Sequence, residues 1–247
     1  WQQKTRKKYF SIKSFEFLNP EFSPSKVNLK SIIIFFTIIF LVIGLVNPKV
    51  GTELKTVKRE GVDIVFAVDV SKSMLAEDIA PNRISKAKRL VSELINKLAS
   101  DRVGIIAYAS TAVPVLPITT DFNSAKMFLE SLNTEMLSSQ GTSIIEAIEL
   151  SKGYFDDDNQ TNRVLCILSD GEDHDFDEEQ LISSIDKSNI LIYTIGLGSL
   201  KGAPIPIKEN NIINAYKKNQ KGETVITRLN ENLLKKISNN ANGMYFK

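Results

Sequence analysis

The sequence predicts an α/β protein, a doubly wound, mostly parallel six-stranded sheet with one antiparallel strand, preceded by a transmembrane helix. Three observations carry this. Strand-like and helix-like apolar patterns alternate from Val62 to the end of the chain, which is the pattern of a doubly wound sheet. The strands Arg102 to Ser110 and Ala112 to Thr119 are joined too tightly for a parallel crossover, so they form a hairpin and supply the antiparallel member. A charge-free run from Ser31 to Pro48 lies ahead of all of them.

That run has no polar face between Ile32 and Ile43, which excludes an amphipathic surface helix. Its eighteen residues, at about 1.5 Å each, reach roughly 27 Å, enough for a thin hydrocarbon core. No small-residue cleavage site follows it and a polar segment precedes it, so it is not a signal peptide. The expected organisation is a basic juxtamembrane segment (1–28), a membrane helix (29–48), a linker (49–60) and a folded domain (61–247). Lys4, Arg6, Lys7, Lys8, Lys13, Lys26 and Lys30 precede the helix; Lys49, Lys55, Lys58 and Arg59 follow it. The excess on the front side favours an N-in helix, with the folded domain outside the cytoplasm.

Within the domain, Val62 to Val68 is apolar and rich in β-branched residues, broken only by Asp63, as expected of a central parallel strand. Pro81-Asn82-Arg83 opens a helix to about Leu98, with Ile84, Ala87, Leu90, Val91, Leu94 and Leu98 on its apolar face. Helices are expected at Phe122 to Leu132 and Ser143 to Phe155, then a solvated turn at Asp156 to Asn159. A strand from Arg163 to Leu168, a short helix from Glu178 to Lys187 and a strand from Ile190 to Gly196 continue the alternation. Gly198 to Arg228 reads as an irregular insertion with a β-hairpin, and a helix (Glu231 to Ser238) and strand (Gly243 to Phe246) close the domain.

Composition excludes little. At 43% hydrophobic residues the chain can bury a full core. Residues 1–50 carry eight Lys/Arg and two Asp/Glu, the remainder 23 and 27, so the folded part is mildly acidic and no nucleic-acid surface is expected. One cysteine, Cys166, excludes an internal disulfide and reads as a packing residue.

The candidate chemistry lies where strands end. The first strand delivers Asp69, Ser71 and Ser73; Thr142 precedes a helix in Ser139-Gln140-Gly141-Thr142; Asp170 ends a later strand. Ligands of open α/β sheets bind at that edge. Oxygen-only donors of mixed charge suit a hard cation such as Mg2+, with Mn2+ and Ca2+ as alternatives, rather than zinc or copper. A cation held mainly by neutral hydroxyls keeps much of its charge, so a partner's Asp or Glu can complete its shell. For Asp69 and Ser71 alone the plainer explanation is a capping turn. The acidic run from Asp170 to Glu179 reads as solvated rather than as a second metal site, and His174 as an exposed loop residue.

This set resembles the metal-ion-dependent adhesion site of the von Willebrand factor A domain, with its Asp-x-Ser-x-Ser, distant Thr and distant Asp. Several further stretches resemble the membrane-anchored Bat proteins of bacteria (BatA and BatB), named for aerotolerance. These are Asp69 to Met74, Pro81-Asn82-Arg83, Asp101 to Gly104, Ser169 to Asp173, Gly202 to Pro206, and Tyr216-Lys217-Lys218 before Gly222. Gln140 departs from the family, where many relatives carry a second glycine. The resemblance implies an inner-membrane protein with a periplasmic domain, and further helices beyond Trp1 and Lys247. It also implies other Bat-type proteins and a MoxR-type AAA+ ATPase as partners. Two rivals remain: a structural subunit of a membrane complex with a non-gating metal site, and a phosphatase-like hydrolase. The second needs an acid/base Asp where Ser71 stands, and no Gly-rich or Walker loop offers another enzyme class.

Overall fold

In the computed structural model, residues 23–46, 61–137, 141–155, 162–173, 177–186, 190–209 and 212–247 are described. The acidic turn 156–159, Gln140, His174, residues 1–22 and the linker lie outside them.

Helix α1 (Pro24–Val46) stands as a unit of its own. It starts earlier than the charge-free run, so Lys26 and Lys30 belong to its first two turns, where long stems let their ammonium groups reach polar surroundings. Ser25–Val46 is long and apolar enough to cross a membrane. Its hydroxyls are satisfied internally: Ser31 Oγ donates to the Val27 carbonyl at 3.0 Å and Thr37 Oγ1 to that of Ile33 at 2.8 Å.

The folded domain is built on β1 (Val62–Asp69). Around it run α2 (Arg83–Ile95), β2 (Arg102–Tyr108), β3 (Ala112–Thr119), α3 (Phe122–Ser131), α4 (Ile144–Lys152), β4 (Asn162–Ser169), α5 (Glu178–Asp186) and β5 (Leu191–Gly196). The insertion forms two ribbons, β6 (Ala203–Pro204) with β9 (Ile226–Thr227) and β7 (Pro206–Glu209) with β8 (Ile212–Tyr216). Helix α6 (Glu231–Asn240) and β10 (Tyr245–Phe246) complete the domain. The main sheet has the order β10-β5-β4-β1-β2-β3, with β3 antiparallel and the other pairings parallel.

Both faces of β1 are covered, which is why its sequence is apolar throughout rather than alternating. Val65 and Ala67 pack with α4, α5 and α6; Phe66 and Val68 pack with α2 and α3. The buried ridge of α2 is Arg83, Ala87, Val91 and Ile95, spaced by four, with Ile84 beside it. Leu94, expected on that face, is exposed instead.

Asp63, the one charge in β1 ahead of its terminal Asp69, is buried and sits opposite Arg102 in the β1–β2 register. The guanidinium grips it with two bonds, Nε–Oδ1 at 2.7 Å and Nη2–Oδ2 at 2.5 Å. Removing one partner strands a buried charge. Arg102→Ala is therefore expected to cost about 3 kcal/mol, and the double change Asp63→Val/Arg102→Met much less. Urea denaturation of the full chain in detergent measures both.

Candidate metal centre

The chain leaves β1 for β2 on one side and later reaches β4 on the other, so the carboxyl ends of β1 and β4 form the topological switch point at which open α/β sheets take ligands. Asp69 ends β1 and is fully buried. Its Oδ1 accepts the Ser71 amide at 2.8 Å, which turns the chain into a 3-10 turn over Lys72–Leu75. Met74, also fully buried, anchors that turn in the core. Ser71 and Ser73 are left with their hydroxyl oxygens 2.9 Å apart. The other oxygen of Asp69 accepts the Ser169 hydroxyl at 2.7 Å, which ties the end of β1 to the end of β4. Asp170 follows, fully buried, and Gly171 turns the chain away at φ +72°.

Thr142 comes to the same edge by two contacts of its neighbours. The Ser143 amide donates to the Ala109 carbonyl just past β2 (2.7 Å), and the Ile144 amide to Asp173 Oδ2 in the loop after β4 (3.2 Å). The Thr142 side chain makes no hydrogen bond to the other four residues among those described. All five expected residues thus share one edge. Asp69, Ser71 and Ser73 form one bonded cluster, and Thr142 stands apart from it.

The acidic run is more structured than its sequence implies. Glu172 accepts from Thr227 Oγ1 and the Arg228 amide, both at 2.6 Å, and Asp177 caps α5 through the amides of Glu179 (3.0 Å) and Gln180 (3.3 Å). Among the described residues no three His, Cys, Asp or Glu side chains gather as a metal cluster. Cys166 is buried, and burial pushes its thiol up to about 12, consistent with packing rather than nucleophilic chemistry.

Arg83 is the functional residue that sequence reasoning missed. Fully buried, it bonds Asp78 twice (Nε–Oδ1 2.9 Å, Nη2–Oδ2 2.8 Å), Asp170 Oδ2 (Nη1, 2.7 Å) and Thr227 Oγ1 (Nη1, 2.8 Å). Gly198, at φ +136°, passes so close that a Cβ there would lie 2.9 Å from the guanidinium Nε. The signal was present in the sequence: Arg83 heads the i+4 series Ala87, Val91, Ile95 on α2.

These contacts divide the two site carboxylates. Asp170 has Arg83 beside it. Asp69 has hydrogen bonds but no cationic partner among the described residues. Burial, and then the neighbouring Asp170, push its carboxyl up to about 7, against the smaller opposing effect of Ser169 and Ser71. The Ser110 hydroxyl, buried and without a partner among the described residues, belongs to a residue beside Gly141, where a Cβ would meet the Ser110 Cβ at 3.4 Å. A buried carboxylate lacking a cation, among hydroxyls, fits a hard divalent ion.

A family model for the von Willebrand factor type A domain matches residues 64–172. An aerotolerance-related membrane protein from Bacteroides fragilis is 39% identical, over 76% of this chain and 91% of its own, with a TM-score of 0.71. The chain belongs to the Bat family. BatB from Bacteroides thetaiotaomicron agrees: 40% identity, 75% and 89% coverage, TM-score 0.70. An uncharacterized protein of Borreliella burgdorferi is 28% identical over 70% of this chain. This chain spans about half of that relative's length, 54%. The Bat assignment makes this a von Willebrand A domain of a membrane protein, with α1 as a helix able to anchor it.

Two predictions follow from the carboxylates. Because Asp69 in the folded chain holds its proton to about pH 7, against about 4 when unfolded, the folded state binds the extra proton between those values. Stability in chelator should therefore fall by roughly 2–4 kcal/mol as pH rises from 4 to 7, then level off. Asp69→Asn should flatten that slope, as read from urea midpoints at pH 4.5, 6 and 7.5. Arg83→Lys cannot reproduce the forked contacts and is expected to cost about 3 kcal/mol or more, measured by thermal unfolding against wild type.

Proposed function

We propose that this Bat protein is a membrane-anchored protein-binding module whose A domain takes Mg2+, or Mn2+ or Ca2+, at Asp69, Ser71, Ser73, Thr142 and Asp170. The observation that carries the reading is the buried, cation-less Asp69 beside the Ser71–Ser73 hydroxyl pair at an open sheet edge. Bound there, a divalent cation would supply a positive centre with a position open to a partner's Asp or Glu. Asp69 is the principal negative ligand, and Ser71, Ser73 and Thr142 are neutral donors that leave charge to attract the partner. Ser169 and the Ser71 amide hold Asp69 in its orientation. Arg83 engages one oxygen of Asp170, leaving Oδ1, which accepts the Glu172 amide at 3.1 Å, as the oxygen turned toward other donors or water.

In this reading the domain lies on the outer side of a bacterial inner membrane, and α1 and its basic front segment give the cytoplasmic connection. Other Bat-type proteins and a MoxR-type AAA+ ATPase are its proposed complex partners, in stress or aerotolerance. The domain acts by binding and not as an enzyme, since Ser71 stands where a phosphatase needs an acid. One observation favours a second reading, a structural subunit with a non-gating site: Arg83 neutralises Asp170 without any metal.

A crosslinking pulldown from membranes decides between them, with and without chelator, comparing wild type with Ser71→Ala/Ser73→Ala. Partners lost under both treatments are expected. Partners retained under both would establish the structural reading.

A further inference from the structure

The insertion is a basic island on an acidic domain. Between Gly198 and Arg228 stand six Lys/Arg and two Glu, while the rest of residues 61–247 holds 14 and 23. One wall of a groove of about 690 Å3 is made by this insertion, through Ile205, Ile207, Lys208 and Lys217. The opposite wall is the turn after β1, through Lys72 and Leu75. Lys72, which lines the groove, stands between Ser71 and Ser73 in the chain, so the turn that carries the hydroxyl pair also contributes to the groove.

Its lysines are not equivalent. Lys72 pairs with Glu135 and Lys208 with Glu77. Lys217 makes no ion pair among the described residues, although it is half-buried and its backbone is pinned by bonds to Ile205 (2.9 Å) and Val225 (2.8 Å). An ammonium without an ion-pair partner among the described residues, on a backbone held in place beside the groove, favours an anionic occupant. Ile207, also in the lining, is 48% exposed, and Leu75, Ile205 and Pro206 add apolar surface to the groove. Strand β7 pairs only with β8 among the described residues, so its other edge carries no strand partner there, as an added strand would require.

We propose that this groove is the second half of the ligand site and takes an extended acidic–aliphatic peptide segment of a protein partner. One acidic residue of the segment goes to the metal edge, an aliphatic side chain packs on Leu75 and Ile207, and a further carboxylate meets Lys217. The proposal rests on the metal-gated reading for the first contact only. The insertion supplies the rest, and with it the sequence preference that a bare cation lacks.

The test uses the full chain in detergent and a fluorescent peptide, Ser-Asp-Leu-Glu-Ile-Glu-Ser, with fluorescence anisotropy as readout. Saturable binding in Mg2+ is expected, with Lys217→Glu and Ile207→Ser each weakening it about tenfold. Lys217→Glu should in turn favour a probe with lysines in place of its two glutamates. Binding by both groove variants within about twofold of wild type, while chelator abolishes it, would overturn the groove and leave the metal reading standing. Loss in the groove variants with no effect of chelator or of Ser71→Ala/Ser73→Ala would do the reverse. Failure of wild type to bind the probe at about 1 mM would overturn the assigned occupant. Unchanged circular dichroism melting curves show that each variant is folded.

Discussion

One buried guanidinium holds this domain's functional edge together. Arg83 joins the turn after β1 (through Asp78), the loop after β4 (through Asp170) and the insertion (through Thr227). A buried arginine is tolerable only when its donors are satisfied, and here two carboxylates and a threonine do so. Burial alone would raise Asp78, but Arg83 and the Ser199 amide outweigh it and hold Asp78 below its ordinary value. Gly198 then becomes obligatory, because no side chain fits between the strand exit and the guanidinium plane.

The two site carboxylates consequently have different roles despite their similar burial. Asp170 belongs to an ion-pair network in which Arg83 engages one of its two oxygens. Asp69 belongs to a set of hydroxyls and amides that orient it but bring no charge. A protein that neutralised both would have a stable but inert edge; one that neutralised neither would protonate or unfold. Splitting the two keeps the edge folded and leaves one unmet electrostatic demand there.

Much of this was legible in the residues. The apolar run of β1, broken only by Asp63, the tight β2–β3 connection and the strand-end positions of Asp69 and Asp170 are local patterns with one reasonable packing solution. Arg83 was read only as part of a helix opening and not as a site residue, because a charged residue at a helix start gives no sign of burial by itself; only the ridge Ala87, Val91, Ile95 marks its side of α2 as facing inward. Leu94 was misplaced for the complementary reason, as an apolar residue on a helix flank that the core does not reach. The ribbons of the insertion were illegible in detail because short strands such as Ala203–Pro204 carry no period and depend on distant partners. Helix α1 begins at Pro24, ahead of the expected 29, because the long stems of Lys26 and Lys30 let both ride within its first turns.

The hydroxyls of α1 carry one more implication. Ser31 and Thr37 spend their hydrogens on their own helix, so from Ser31 to Val46 α1 presents apolar side chains, while its polar side chains Lys26, Asn28 and Lys30 gather in the first turns. A helix divided in this way marks its own depth: the lysine end seeks the polar side of an interface and the remainder seeks hydrocarbon.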